Sequence, residues 1–157
     1  MSASPPLSHA LIGTWKLVSA IARLPNGTIT PDVYGADPVG YITYTPEGRV
    51  LVLFARSDRP ALSQAIESPF SSEIQSLSSE ELAQAFLTFN AYAGTYTISG
   101  DTVIHQVEIA SIPNRVGTNL LRTVAVSGDQ ITLSTPPLSS GDGSVFELTW
   151  ERVRAIA

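Results

Sequence analysis

Four side chains in the second half of the chain have the types and spacing for proton or charge chemistry: Tyr96, His105, Arg122 and Thr135. Histidine carries protons near neutral pH. Arginine holds a carboxylate or stabilises a developing enolate oxygen. A tyrosine hydroxyl donates to a carbonyl or ether oxygen. Two turns relate these positions, Ser99-Gly100-Asp101 and Ser127-Gly128-Asp129. Glycine in the first central position suits a two-residue type II′ hairpin. Counting outward from the first turn sets Ile98 against Val103 and Tyr96 against His105. Counting from the second sets Val126 against Ile131, Val124 against Leu133 and Arg122 against Thr135. A symmetric hairpin centred on Pro113-Asn114 then sets His105 against Arg122. The expectation is one inward row, Tyr96–His105–Arg122–Thr135, across four adjacent strands. Val103, Val107 and Ile109 share the side of His105 by alternation. A bulge near Pro113 would shift the last two members of the row relative to the first two.

Plainer readings compete. A lone histidine on an apolar face is more often a satisfied core residue, and a strand tyrosine usually packs. Arg122 is costly on an apolar face unless paired or hydrated. It could pair with Glu108 or Glu147 near a barrel end. His105 and Arg122 are the catalytic candidates; Tyr96 and Thr135 are candidates for lining a ligand. Tyr41 and Tyr44 have opposite parity, so at most one faces inward. Tyr44, Phe54, Leu120 and Phe86 complete the expected ligand-contact set. No metal is expected, because the histidines are only His9 and His105, and Glu108 has the opposite parity to His105. The chain has no cysteine, no Gly-rich nucleotide loop and no Ser-His-Asp constellation. Any chemistry is therefore expected to be proton transfer without a cofactor.

The elements that must position these groups read as strands at residues 13–24, 39–45, 49–56, 93–98, 102–110, 117–126, 130–135 and 144–152. The first carries Trp15, Leu17, Ser19 and Ile21 on one face. Between the third and fourth lies one helical region. Ser78 and Glu81 form a capping box there, and Leu82, Ala85, Phe86 and Phe89 follow at helical spacing. Eight short strands with turns at regular spacing predict an all-β fold: an eight-stranded antiparallel up-and-down barrel with a helical insertion after the third strand. Residues 1–10 are expected as a flexible arm and residues 11–157 as a single domain. Trp15 and the Trp150-Glu151-Arg152 segment read as barrel closure, an indole plug with an arginine stacked over it. Arg56-Ser57-Asp58-Arg59-Pro60 reads as a salt-bridged bend or a polar rim at the mouth.

Composition narrows the partners. The net charge is −5 with no run of Lys and Arg, which argues against nucleic acid and against an anionic membrane surface. Nothing resembles a signal peptide or a spanning segment, so a cytoplasmic location is expected. With 43% hydrophobic and 15% charged residues, the chain is apolar for its length, as a barrel lining a cavity would be. A second copy of the chain stays open as a partner.

Beyond these patterns, the chain resembles the bacterial and fungal lipocalin-like domain proteins. The resemblance lies in Gly13-Thr-Trp-Lys-Leu-Val-Ser19, Gly40-Tyr-Ile-Thr-Tyr-Thr-Pro-Glu-Gly48, Asp58-Arg-Pro60, Ala91-Tyr-Ala-Gly-Thr-Tyr96, Val103-Ile-His105, Pro113-Asn-Arg-Val-Gly-Thr118, Leu133-Ser-Thr-Pro-Pro137 and Trp150-Glu-Arg152. It runs from about Leu11 to Val153. It implies a lipocalin-like barrel with a helical insertion, and it places His105 and Arg122 at family positions. Family members often carry a second histidine where this chain has Gln106, and a tryptophan where it has Arg115. Relatives with similar barrels include ligand carriers and cofactor-free cyclases and isomerases of natural-product pathways. The expected function is binding of a small, largely apolar, carbonyl-containing metabolite in the lumen, with conversion by cofactor-free acid/base chemistry of cyclase or isomerase type. The alternative is a non-catalytic carrier of a small hydrophobic ligand. A protein-interaction module using the helical region is the third option.

Overall fold

The two Ser-Gly-Asp turns form as type II′ geometry requires, with Gly100 at φ 62° and Gly128 at φ 59°. Each closes a two-residue hairpin, Ser99 facing Thr102 and Ser127 facing Gln130. The computed structural model describes residues 3–156 and is built on nine strands: β1 (Gly13–Arg23), β2 (Ile29–Thr30), β3 (Val39–Tyr44), β4 (Arg49–Ala55), β5 (Phe89–Ser99), β6 (Thr102–Ala110), β7 (Asn119–Ser127), β8 (Gln130–Ser134) and β9 (Val145–Arg152). Neighbours pair antiparallel in the order β2-β1-β3-β4-β5-β6-β7-β8-β9, and β1 also pairs with β9. That last ladder, from Trp15 opposite Arg152 to Arg23 opposite Val145, closes eight strands into a barrel. The two-residue β2 flanks it on the far half of β1.

Two helices sit outside the wall: α1 (Leu7–Ala10) before β1, and α2 (Ser79–Leu87) before β5. The helical insertion was expected after the third strand; it follows the fourth, because the loop after β1 contributes β2. Ser78 caps α2 as predicted, its Oγ accepting from the Glu81 amide at 3.1 Å. The Glu81 carboxylate reaches back to Ser78 in turn, its Oε2 accepting from the Ser78 hydroxyl at 3.4 Å. It also accepts from the Ser63 amide and hydroxyl at 2.8 and 2.9 Å, tying the preceding loop to the helix. No helix among the described residues is long and apolar enough to cross a membrane.

The two ends of the barrel differ. At the base, the tight turns at 46–48, 100–101 and 128–129 leave little room. Trp15 plugs this end, 1% exposed, with its Nε1 donating to the Leu11 carbonyl at 2.9 Å. The Arg152 guanidinium stacks over the indole at 4.1 Å and donates to the carbonyls of Ala10 and Ile12. Such a partly buried cation–π contact contributes about 1 kcal/mol. The segment expected as a loose arm thus carries a turn of helix, with Leu7 and Leu11 packed on the core; residues 1–2 lie outside the described part. The opposite end is built from the long connections, and α2 lies over it.

Two bulges change the alternation read from the sequence. β1 slips against β9 between Leu17 and Ser19. Trp15 and Leu17 face the core before the slip, and Ala20 and Ala22 face it afterwards. Ser19 and Ile21, expected on the same face as Trp15 and Leu17, turn away from it. β6 slips against β5 so that Ala93 faces Ile109 and Gly94 faces Val107, leaving Glu108 as the extra residue. Val103, His105 and Val107 point inward, whereas Ile109 is 67% exposed, contrary to the simple alternation. Gly94 makes this slip possible: a Cβ there would lie 1.8 Å from the Gln106 carbonyl oxygen. Gly94→Ala is therefore expected to destabilise the barrel by about 3 kcal/mol through overpacking against backbone, read as a lower urea midpoint. An unchanged midpoint would show that the β5–β6 bulge is not sterically fixed.

Candidate functional site

The mouth half of the barrel holds a cavity of about 330 Å³. Its walls are mostly apolar: Val52 and Phe54 from β4, Phe86 and Leu87 from α2, Leu133 from β8, and Phe146, Leu148 and Trp150 from β9. Phe54 meets Tyr34 edge-on at 4.8 Å and Trp150 at 6.4 Å. Phe86 is half exposed on α2, so this helix forms a rim rather than a sealed cap. The volume is at the small end of the range for drug-sized ligands.

The polar groups of the wall fall into two sets. The satisfied set lies beneath the cavity. His105 is fully buried; its Nε2 bonds the Tyr44 hydroxyl at 2.8 Å and its Nδ1 bonds the Tyr92 hydroxyl at 2.8 Å. A neutral imidazole has one donor and one acceptor nitrogen, so one tyrosine donates to it and the other accepts. Burial, with the nearby Arg122 charge, pushes the imidazole down to about 3 from 6.5. Burial likewise raises both tyrosine hydroxyls. Of this trio, Tyr92 alone also lines the cavity.

The second set has few protein partners. Arg115, on the 3₁₀ turn Pro113–Arg115, places its guanidinium 5.7 Å over the Tyr92 ring and forms no side-chain hydrogen bond among the described residues. Burial holds it below its usual pKa, and the Arg122 charge lowers it further. Arg122 donates to the Leu121 carbonyl at 2.8 Å. The carboxylates that could have neutralised it are engaged elsewhere, Glu108 with Arg49 at 2.7 Å and Glu147 with Arg23 at 2.9 Å. Among the described residues no carboxylate lines the cavity. The Trp150 indole N–H is buried without an acceptor among the described residues, an arrangement that costs about 1–3 kcal/mol until one is supplied.

The expected row is therefore split. Tyr96 faces His105 as predicted. However, His105 faces Leu120 and Arg122 faces Val103, two residues away from the symmetric hairpin. The cause is the asymmetric β6–β7 connection: Val107 bonds both Gly117 and Thr118, and Gly117 sits at φ 80°. Arg122, Thr135, Phe54 and Phe86 line the cavity. Thr135 also bonds Phe146 through its backbone amide and its Oγ1, both at 2.9 Å. His105, Tyr44, Tyr96 and Leu120 pack below the cavity. Tyr44 is the inward tyrosine at 1% exposed, whereas Tyr41 is 41% exposed. Tyr96 stacks edge-on against Tyr44 at 4.9 Å and donates to the Thr45 carbonyl at 2.9 Å.

Sequence reasoning missed Tyr92, Asn90, Tyr34 and Arg115. Tyr92 and Asn90 share the parity of Tyr96 on β5, and starting that strand at Phe89 rather than residue 93 would have found them. Tyr34 and Arg115 lie on connections, where alternation gives no signal. The bend after β4 is salt-bridged as expected, Arg56 to Asp58 at 2.9 Å, while Arg59 bonds the Ala85 carbonyl and Thr88 beside α2.

The sequence profile of the lipocalin-like domain family matches residues 12–153, and the chain belongs to that family. Over 91 residues it is 38% identical to the 4'-hydroxy-3'-methoxypropiophenone carrier protein ppsC of Aspergillus oryzae, a match covering 52% of this chain and 82% of that protein. Among solved structures, an uncharacterized protein of Bacteroides eggerthii aligns over 91% of this chain and 99% of its own, with a TM-score of 0.42 and 11% identity. A variant of the fluorescent protein UnaG aligns over 94% and 99%, with a TM-score of 0.37 and 11% identity.

The buried imidazole makes stability depend on pH. Its folded pKa is depressed, so its contribution is fully present above 6.5 and declines as pH falls toward about 3. Each unit in that window removes up to about 1.4 kcal/mol. His105→Gln can bond both tyrosines without titrating. Urea unfolding at a series of pH values from 7 to 4 should show a steep loss for the wild type and a flatter one for the variant. Equal slopes would mean that the imidazole is not held neutral.

Proposed function

We propose that this protein is a carrier of a small, largely apolar carbonyl compound, held in the mouth half of the barrel beneath α2. The observation that carries this reading is the apolar cavity of about 330 Å³ with donors lacking acceptors at its wall, Trp150 Nε1 foremost. A bound carbonyl oxygen would meet that need, and the aromatic walls formed by Phe54, Phe86 and Phe146 suit a flat ring. The name of the Aspergillus oryzae relative, an aryl ketone carrier, agrees in chemical class. Catalysis through His105 is disfavoured because both ring nitrogens are engaged and the imidazole is neutral over the physiological range. A second reading, acid/base conversion, rests on Tyr92, which touches both the cavity and His105.

The test uses 4'-hydroxy-3'-methoxypropiophenone and its methyl ether. Trp150 lines the cavity, so titration with either compound is expected to quench intrinsic fluorescence to saturation. Phe86→Ala is expected to weaken binding roughly fivefold by removing part of the rim. After prolonged incubation, mass spectrometry should recover the compound unchanged. Absence of saturable binding overturns the carrier reading. Recovery of an altered compound, lost in Tyr92→Phe, replaces it with the second.

A further inference from the structure

The two arginines at the cavity distinguish it from a plain apolar container. Arg115 and Arg122 come from different elements, the β6–β7 connection and β7, yet both line the same space. Both act on Tyr92, one over its ring at 5.7 Å and the other through its charge on the hydroxyl. Neither forms an ion pair among the described residues, whereas Arg23, Arg49, Arg56 and Arg154 each have a carboxylate. Two like charges in a shared, partly desolvated space repel each other, and each is costly there without an anion. Among the described residues the wall supplies none. The titratable groups facing the space are Arg115, Arg122, Tyr92 and Tyr34, with neutral His105 behind Tyr92. Tyr92 and Tyr34 are held protonated by burial.

We infer that the ligand is bound as an oxyanion, a phenolate or a carboxylate, whose charged oxygen sits between Arg115 and Arg122 while its apolar body fills the aromatic part of the cavity. The inference rests on the carrier reading and adds the charge state of the cargo. A guanidinium fork binds a delocalised oxyanion through parallel charge-assisted hydrogen bonds. A nearby cation favours the charged form of an acid, so a phenol entering this site would lose its proton to water at a pH below its value in solution. The cavity then selects acidic carbonyl compounds over neutral ones of the same shape.

The experiment compares three ligands on the full chain: the phenol named above, its methyl ether, and the benzoic acid analogue with a carboxyl group in place of the hydroxyl. At a pH about one unit below the free phenol's pKa, the protein-bound phenol is expected to show the long-wavelength absorption of its phenolate. The phenol or the acid should bind at least tenfold more tightly than the ether, and the tighter of the two names the head group. Arg122→Gln and Arg115→Gln should each reduce that preference severalfold and remove the phenolate band. If the phenol binds with the absorption of its neutral form and the acid binds no more tightly than the ether, the oxyanion inference is wrong while the carrier reading stands. If none of the three binds, the carrier reading itself fails. A preference that survives both arginine variants overturns the inference as well.

Discussion

Closure of the sheet through the β1–β9 ladder is the constraint on which the rest depends. A closed barrel has no free edge apart from the short β2 flank, so every inward side chain of eight strands competes for one enclosed volume. At the base, tight turns and the Trp15–Arg152 stack occupy that volume. At the mouth, long connections hold the strand ends apart, and the side chains there cannot meet across the lumen. The cavity is the part of the interior that the chain's own residues leave unfilled.

Polar groups in such an interior must find partners, and they do so in two different ways. His105, Tyr44 and Tyr92 satisfy one another across three strands. That network is chemically quiet because the imidazole is neutral and both its nitrogens are occupied. Arg115 and Arg122 line the cavity and have no carboxylate partner among the described residues. The same requirement therefore produces a structural floor from one set and cations without a counter-ion from the other. The functional reading follows from which groups are left unmatched, since a satisfied polar network is complete without a ligand.

Tyr92 joins the two sets. It stands between the neutral histidine and the two cations, presenting its ring to Arg115 and its hydroxyl to His105. His105 does not line the cavity, yet it lies close enough to Arg122 for that charge to lower its pKa. Tyr92 also gives the site one continuous polar seam in an otherwise apolar wall.

Much of this was legible in the residues. The Ser-Gly-Asp turns set two hairpin registers by local backbone geometry alone, and the pairing of Tyr96 with His105 followed from counting. The Ser78 cap and the Trp15 plug were likewise local or pairwise signals. The barrel class followed from strand number and spacing. What the residues did not show was the pairing of β6 with β7, because a loop containing a 3₁₀ turn and Gly117 has no symmetric centre from which to count. The bulges at Leu17/Ser19 and at Glu108 were hidden for a related reason: each is stabilised by the partner strand and reverses inside and outside beyond it. Sequence by itself determined the barrel, its turns and the presence of polar groups on inward faces. Only tertiary structure decided that His105 is sealed between two tyrosines while Arg115 and Arg122 face open space, because satisfaction of a buried polar group depends on neighbours brought together from distant strands.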